Sequence, residues 1–199
     1  MASFVSPTIV NVGYRSTNFW VVSAGRNRLL VDLGWPGMAG ALFANLDRMG
    51  VPLDELRYGL ATHYHIDHAG AAEDLKRRGV PLLVMQEQVH AIPLMKQWTK
   101  PADNYTEIST RDNVVISCAE SRSFLAAIGI AGEIVHTPGH SDDSVSLVLD
   151  TGVAFTGDLT MESRVASEDA AKVAGSWQLL RNRGVTTIHA GHGPPFYLR

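Results

Sequence analysis

Cysteine is nearly absent. Cys118 is the only one in 199 residues, so no intramolecular disulfide can form, and stability has to come from packing or from bound metal. A reducing compartment fits, and a cytoplasmic protein is expected. An excess of one charge is lacking too: 17 Lys plus Arg against 20 Asp plus Glu leave a formal net charge of -3, and the basic run Lys76, Arg77, Arg78 is short. Nothing in that balance is built to hold a phosphate backbone, so no nucleic-acid partner is expected. No apolar run is long enough to cross a bilayer, and the start Met-Ala-Ser-Phe-Val-Ser-Pro has neither the basic residues nor the apolar stretch of a secretory signal. No membrane partner is expected either. The 45% hydrophobic and 19% charged residues are ordinary for a folded soluble chain.

What stands out is histidine. There are eight, and seven of them fall in three short stretches, 63–68, 136–140 and 189–192; imidazole is the commonest metal-ligating side chain, so their spacing matters.

No fixed-period repeat, low-complexity segment or linker divides the chain, which reads as one domain over 1–199. Short runs rich in Val, Leu, Phe and Trp at 8–12, 18–24 and 28–32 predict strands, the last two joined by Gly25-Arg26-Asn27 as a hairpin turn. Between Met38 and Met49 the apolar residues Leu42, Leu46 and Met49 share one helical face, and Gly50 and Pro52 end the helix. A strand at 57–62 runs into His63-Tyr-His-Ile-Asp-His68, after which a helix is expected from Ala69 to Gly79. A strand at 80–85 precedes an irregular insertion, 87–106, readable as a lid, a cap on the core edge or a dimer contact. Then come a helix at 119–128, strands at 133–137, 144–149 and 153–156, a helix from a Ser167 N-cap to Arg183, and a strand at 186–189. Antiparallel and βα segments alternate in both halves, which favours an α/β, four-layer αββα sandwich: two sheets face to face with helices outside.

The run His63-x-His65-x-Asp67-His68 places three imidazoles and a carboxylate within six residues, a poor choice for a core and a good one for cations. In an extended loop His63 and His65 lie on one side, while Asp67 and His68 can turn toward a neighbouring point. Three further loops follow predicted strands and set Gly beside a candidate ligand: Pro138-Gly-His140, Thr156-Gly-Asp158 and Ala190-Gly-His192. Each alone is more often a turn than a ligand. Taken with the first run, they make a set of seven for two metals: His63, His65 and His140 for one, Asp67, His68 and His192 for the other, and Asp158 able to span both.

With Asp32 in Val-Asp-Leu-Gly, these motifs stand in the order of the metallo-β-lactamase fold superfamily, which the chain resembles from about residue 8 to 193. The resemblance implies the same ligand grouping, with Asp158 bridging and with Asp32 and Thr62 supporting the ligands from behind. It implies a hydrolase in which two ions about 3.5 to 4 Å apart share a water and lower its pKa toward about 7. Asp67 is then also the candidate catalytic residue, accepting a hydrogen bond from that bridging hydroxide and passing a proton to the leaving group. The imidazole-rich, sulfur-free set suits two zinc ions, with iron, nickel or a mixed pair as alternatives.

Departures from the pattern narrow the subtype. His65 stands where flavodiiron proteins carry Glu. The bridging Asp158 and the absence of a visible signal peptide leave β-lactam hydrolysis at best a side activity. The chain stops seven residues after His192, without the helical region by which glyoxalase II binds glutathione, and between Asp158 and His192 there is no Tyr such as quorum-sensing lactonases use after the bridging Asp. The expected function is hydrolysis of an ester, thioester or lactone of a small molecule; a phosphodiesterase and a non-catalytic metal-dependent binding protein are the alternatives. A homodimer is compatible with the sequence. His90, His136 and His189 are expected to be structural or surface residues, with His136 close enough to His140 to support it.

Overall fold

The computed structural model describes residues 7–166 and 168–198; the Ser167 cap lies outside them. The chain opens with β1 (Thr8–Asn11), β2 (Trp20–Ala24) and β3 (Asn27–Val31), then α1 (Ala39–Arg48) and β4 (Leu56–Leu60). These strands form one sheet in the order β1-β2-β3-β4, antiparallel except for the parallel β3/β4 pair. The β2/β3 hairpin turns on two residues rather than three, with Gly25 at φ +63°, a conformation that costs glycine little.

Two short helices follow, α2 (Ile66–Ala69) and α3 (Ala72–Arg77), where the sequence predicts a single one beginning at Ala69. The helical run is interrupted at Gly70 and Ala71, where the chain presses against Pro36: a Cβ on Gly70 would lie 2.3 Å from the Pro36 ring. The break starts the helical turn early enough to carry Asp67 and His68. Beyond it, β5 (Leu83–Met85) pairs in parallel with β6 (Val114–Ile116), a strand too short to show in the sequence pattern, and a single bridge from Leu82 to Gly59 joins this pair to β4.

The second half supplies α4 (Ser121–Ala127), β7 (Gly132–His136), β8 (Val145–Leu149), β9 (Val153–Gly157), α5 (Ala170–Asn182), β10 (Thr187–Ala190) and β11 (Phe196–Tyr197). Its sheet runs β11-β10-β9-β8-β7, with only β9/β10 parallel.

Strand periodicity explains the layering. Trp20, Val22, Leu29 and Val31 face inward and meet Ile134, Leu147, Leu149 and Phe155 of the other sheet. The alternate residues Val21 and Leu30 pack outward on Leu42 and Leu46 of α1 and Leu75 of α3. On the opposite side Val135, Val148, Ala154 and Ile188 pack on Val173, Trp177 and Leu180 of α5. Each sheet is thus apolar on both faces, and helices cover the outer ones, giving the αββα sandwich. Burying each such Val or Leu contributes about 1.5 to 3 kcal/mol, so a polar substitution on either face of these strands is disruptive.

This topology gathers the loops. Strands β7, β9 and β10 all point the same way, so their C-terminal ends lie at one edge. The backbone N–H of Val145 bonds Thr62 O at 2.8 Å, bringing the end of β4 to that edge.

Candidate metal centre

All seven residues singled out from the sequence come together at that edge. His63 and His65 leave the end of β4, with His65 in extended backbone, and Asp67 and His68 sit on α2. His140 follows β7, Asp158 immediately follows β9, and His192 lies two residues past β10. Their donor atoms form two groups, His63, His65 and His140 in one and Asp67, His68, Asp158 and His192 in the other, each with its atoms within 4.8 Å of one another. In the first, His140 Nε2 is 3.0 Å from His65 Nδ1. In the second, His68 Nε2 is 3.3 Å from Asp158 Oδ1, and His192 Nε2 is 3.2 Å from Asp67 Oδ2 and 3.3 Å from Asp158 Oδ2. Asp158 Oδ2 also lies 3.9 Å from His140 Nε2. One carboxylate therefore faces both groups.

The surrounding hydrogen bonds set the tautomers. His68 Nδ1 donates to Asp32 Oδ2 at 2.8 Å, and His192 Nδ1 donates to Ser16 O at 2.6 Å. The Thr62 hydroxyl donates to Asp32 Oδ1 at 2.9 Å, which leaves its oxygen to accept from His63 Nδ1 at 3.2 Å. In all three imidazoles Nε2 is thereby turned toward the cluster, and in the neutral form it presents a lone pair there.

The donor set fits divalent cations by a second observation. His63 Nε2, His68 Nε2 and Asp158 Oδ1 are buried with no hydrogen-bond partner, a costly state for polar atoms unless a cation satisfies them. Burial, helped by neighbouring imidazoles, holds His63 well below the usual histidine range, so it stays neutral. Burial would also depress His68, but the Asp32 and Asp158 carboxylates overcome it and hold His68 well above the usual range. Burial opposes ionisation of Asp158, yet the close His68 imidazole, together with those of His192 and His140, keeps its carboxyl below the ordinary carboxylate range.

Two glycines make the convergence sterically feasible. A Cβ on Gly191 would lie 2.5 Å from both Asp158 Oδ1 and His68 Cε1, and one on Gly157, at φ +54°, would overlap the Thr62 hydroxyl at 2.2 Å.

Several supporting residues carry no local sequence signal. The Thr17 hydroxyl donates to Asp67 Oδ2 at 3.2 Å and accepts from Trp35 Nε1 at 3.1 Å. Asp143 accepts the Tyr64 N–H at 2.7 Å, clamping the loop between His63 and His65, and Gln88 Nε2 donates to Ala61 O at 2.9 Å behind it. Only their positions in the fold reveal them. His136 holds the His140 loop, its Nε2 bonded to Asp142 O at 2.7 Å. His189 packs edge-on against Trp20, while His90 is exposed. The insertion folds as three-ten turns whose Ile92 and Met95 are buried in the core beside α1 and α3. That is a cap on the core edge.

Beside the centre opens a cavity of about 340 Å³, lined by His140, Asp158 and His192 on one side and by Met161, Trp177 and Phe196 on the other.

Residues 12–192 match the family described as the metallo-beta-lactamase superfamily. The chain belongs to that superfamily. Its relatives include the atrochrysone carboxyl ACP thioesterase of Claviceps purpurea (strain 20.1), 28% identical over 184 residues that cover 90% of this chain and 52% of that protein. Beta-lactamase-like protein 2 homolog of Caenorhabditis elegans is 22% identical over 182 residues, covering 90% of this chain and 57% of its own length. The chain spans about half the length of these curated relatives. Among solved structures, the metallo-beta-lactamase family protein TTHA1429 from Thermus thermophilus superposes with a TM-score of 0.74 at 18% identity, over 96% of this chain and 75% of the other. TTHA1623, in a di-iron-bound form, gives 0.72 at 22% identity, over 96% and 94%. At those identities the likeness establishes the fold. The superfamily is metal-dependent, and no helix among the described residues is long and apolar enough to cross a membrane.

Proposed function

We propose that this metallo-β-lactamase superfamily chain is a dinuclear, zinc-dependent hydrolase that cleaves a small-molecule ester, thioester or lactone, with a thioester favoured. His63, His65 and His140 hold one ion and Asp67, His68 and His192 the other, with Asp158 between them. The observation that carries this reading is the pair of donor groups, with Asp158 of the second reaching to 3.9 Å from His140 of the first, beside a cavity partly walled by apolar side chains. When bound, two divalent ions supply a water acidified to near neutrality and polarise the oxygen of the bond under attack.

The chain's own residues do the rest. Asp67, its carboxylate oriented by Thr17, takes the proton of the attacking water and returns it to the leaving group. Asp32 and Ser16 keep His68 and His192 turned inward through the cycle. Met161, Trp177 and Phe196 wall the acyl side of the cavity and exclude water from it. The preference for a thioester has a chemical reason and a comparative one. Between Asp158 and His192 there is no Tyr to protonate an alkoxide, whereas a thiolate, whose conjugate thiol has a pKa of about 8.5, leaves with little help. Relatives at 28% and 30% identity carry the name atrochrysone carboxyl ACP thioesterase.

The test is a panel of acyl thioester, lactone, β-lactam and phosphodiester substrates, assayed with zinc, after chelation, and after zinc is restored. Chelator-sensitive, zinc-restored thioester turnover is expected. Turnover of the phosphodiester alone would make the protein a phosphodiesterase, and metal retention without any turnover would make it a binding protein.

A further inference from the structure

Among the residues lining the cavity beside the metal centre, Arg164 has no place in the ligand set or its supports. It is the only Lys or Arg lining that cavity, it is exposed, and no side-chain hydrogen bond or ion pair ties it to another described residue. Glu162, two residues earlier on the same turn, is engaged by Arg181.

The segment that carries Arg164 is held from two sides. Arg164 ends the three-ten turn Glu162–Arg164, closed by its N–H to Met161 O at 2.8 Å. From α5, Arg181 grips Glu162 and Trp177 Nε1 donates to Thr160 O at 2.8 Å. From the other side the Thr160 hydroxyl donates to Gly139 O at 3.1 Å, next to the ligand His140. An arginine on a tethered turn, facing the same space as His140 and Asp158, is positioned relative to the reacting centre. Leu159, Met161, Trp177 and Phe196 give that lining apolar surface beside Arg164, with Thr156 and Thr160 as its uncharged polar members.

We propose that Arg164 is the specificity residue of this cavity and that it selects acyl groups with an apolar body and a terminal carboxylate. The inference rests on the hydrolase reading above. A guanidinium offers two parallel N–H donors that match a carboxylate. No second cation joins it, as a phosphate site would gather. Arg164 is exposed, so water screens the pair and its effect is a modest preference resting on the two-point geometry. The chemical class is thus the half-thioester of a dicarboxylic acid, bound with its reactive carbonyl at the metals and its free carboxylate at Arg164.

The experiment uses the zinc-loaded protein and two N-acetylcysteamine thioesters, one with a terminal carboxylate on a medium-length acyl chain and one with the corresponding amide. Wild type is expected to favour the carboxylate by about tenfold in kcat/KM. Arg164→Ala should remove that preference through KM, leaving kcat and amide turnover within about twofold, and Arg164→Lys should restore part of it. Calorimetric binding of the two non-hydrolysable thioether analogues supplies a readout independent of turnover. A carboxylate preference in binding that depends on Arg164, without thioester turnover, would overturn the hydrolase assignment and leave this inference standing. A preference that persists in Arg164→Ala, as when the carboxylate binds the metals, or no preference in wild type, overturns it.

Discussion

Asp32 accepts three hydrogen bonds, from the Thr62 N–H at 2.8 Å, the Thr62 hydroxyl at 2.9 Å and His68 Nδ1 at 2.8 Å. It does so from a buried position with φ at 64°, a conformation that Asn and Asp tolerate better than other side chains. Asp32→Asn keeps the shape and the bonds to Thr62, but turns an N–H donor toward His68 Nδ1. The imidazole proton then moves to Nε2, the atom that has to face the metal. The expected outcome is a loss of metal affinity of about 10- to 100-fold with a nearly unchanged melting temperature, read by metal titration and thermal denaturation. Cys118 illustrates the opposite case. Burial, reinforced by the nearby Glu87 carboxylate, pushes its thiol up to about 12, so almost no thiolate is present near neutrality. Alkylation by iodoacetamide at pH 8 should be slow in the folded protein and fast after denaturation; equal rates would refute this.

At the scale of elements, strand ends decide the chemistry. The end of β10 is held to that of β9 by the Gly191 N–H bonding Gly157 O at 2.8 Å, which brings His192 beside Asp158. Gly191→Ala forces a methyl group into the space between Asp158 and His68. It should lower metal occupancy while far-UV circular dichroism stays native, because the outer face of β10 still packs on α5. Which elements are legible in the sequence follows from where their information lies. Helix α1 and strands β2, β3, β8 and β9 carry their period-two or helical patterns within their own residues, and the sequence reading places them within one or two residues. The break between α2 and α3 depends on Pro36, far back in the chain, and β6 depends on pairing with β5, so neither leaves a local trace. The seven donors are visible because four are packed into six residues and the others sit beside glycines at strand ends. Thr17, Trp35 and Asp143 are not, since they reach the centre only through the fold.

At the scale of the whole molecule, ion uptake is coupled to protons. His68 is held above its ordinary range, so it carries a proton above pH 6.5 in the metal-free protein, and an ion has to displace that proton. Metal affinity should therefore rise with pH through and beyond about 6.5, with proton release on binding that calorimetry detects in buffers of different ionisation enthalpy. His63 contributes to stability with the opposite sense: its pKa is lowered in the folded state, so its contribution is present above the unfolded value and is lost as pH falls below it. Bound ions favour the neutral form of both imidazoles and stabilise the folded chain by mass action.

The most direct test of the paired centre is anomalous X-ray scattering from crystals of the zinc-loaded protein at the zinc edge. Two peaks are expected, one among His63, His65 and His140 and one among Asp67, His68 and His192, with Asp158 reaching both. A single peak outside these groups, or no peak after loading with excess zinc, would contradict the account.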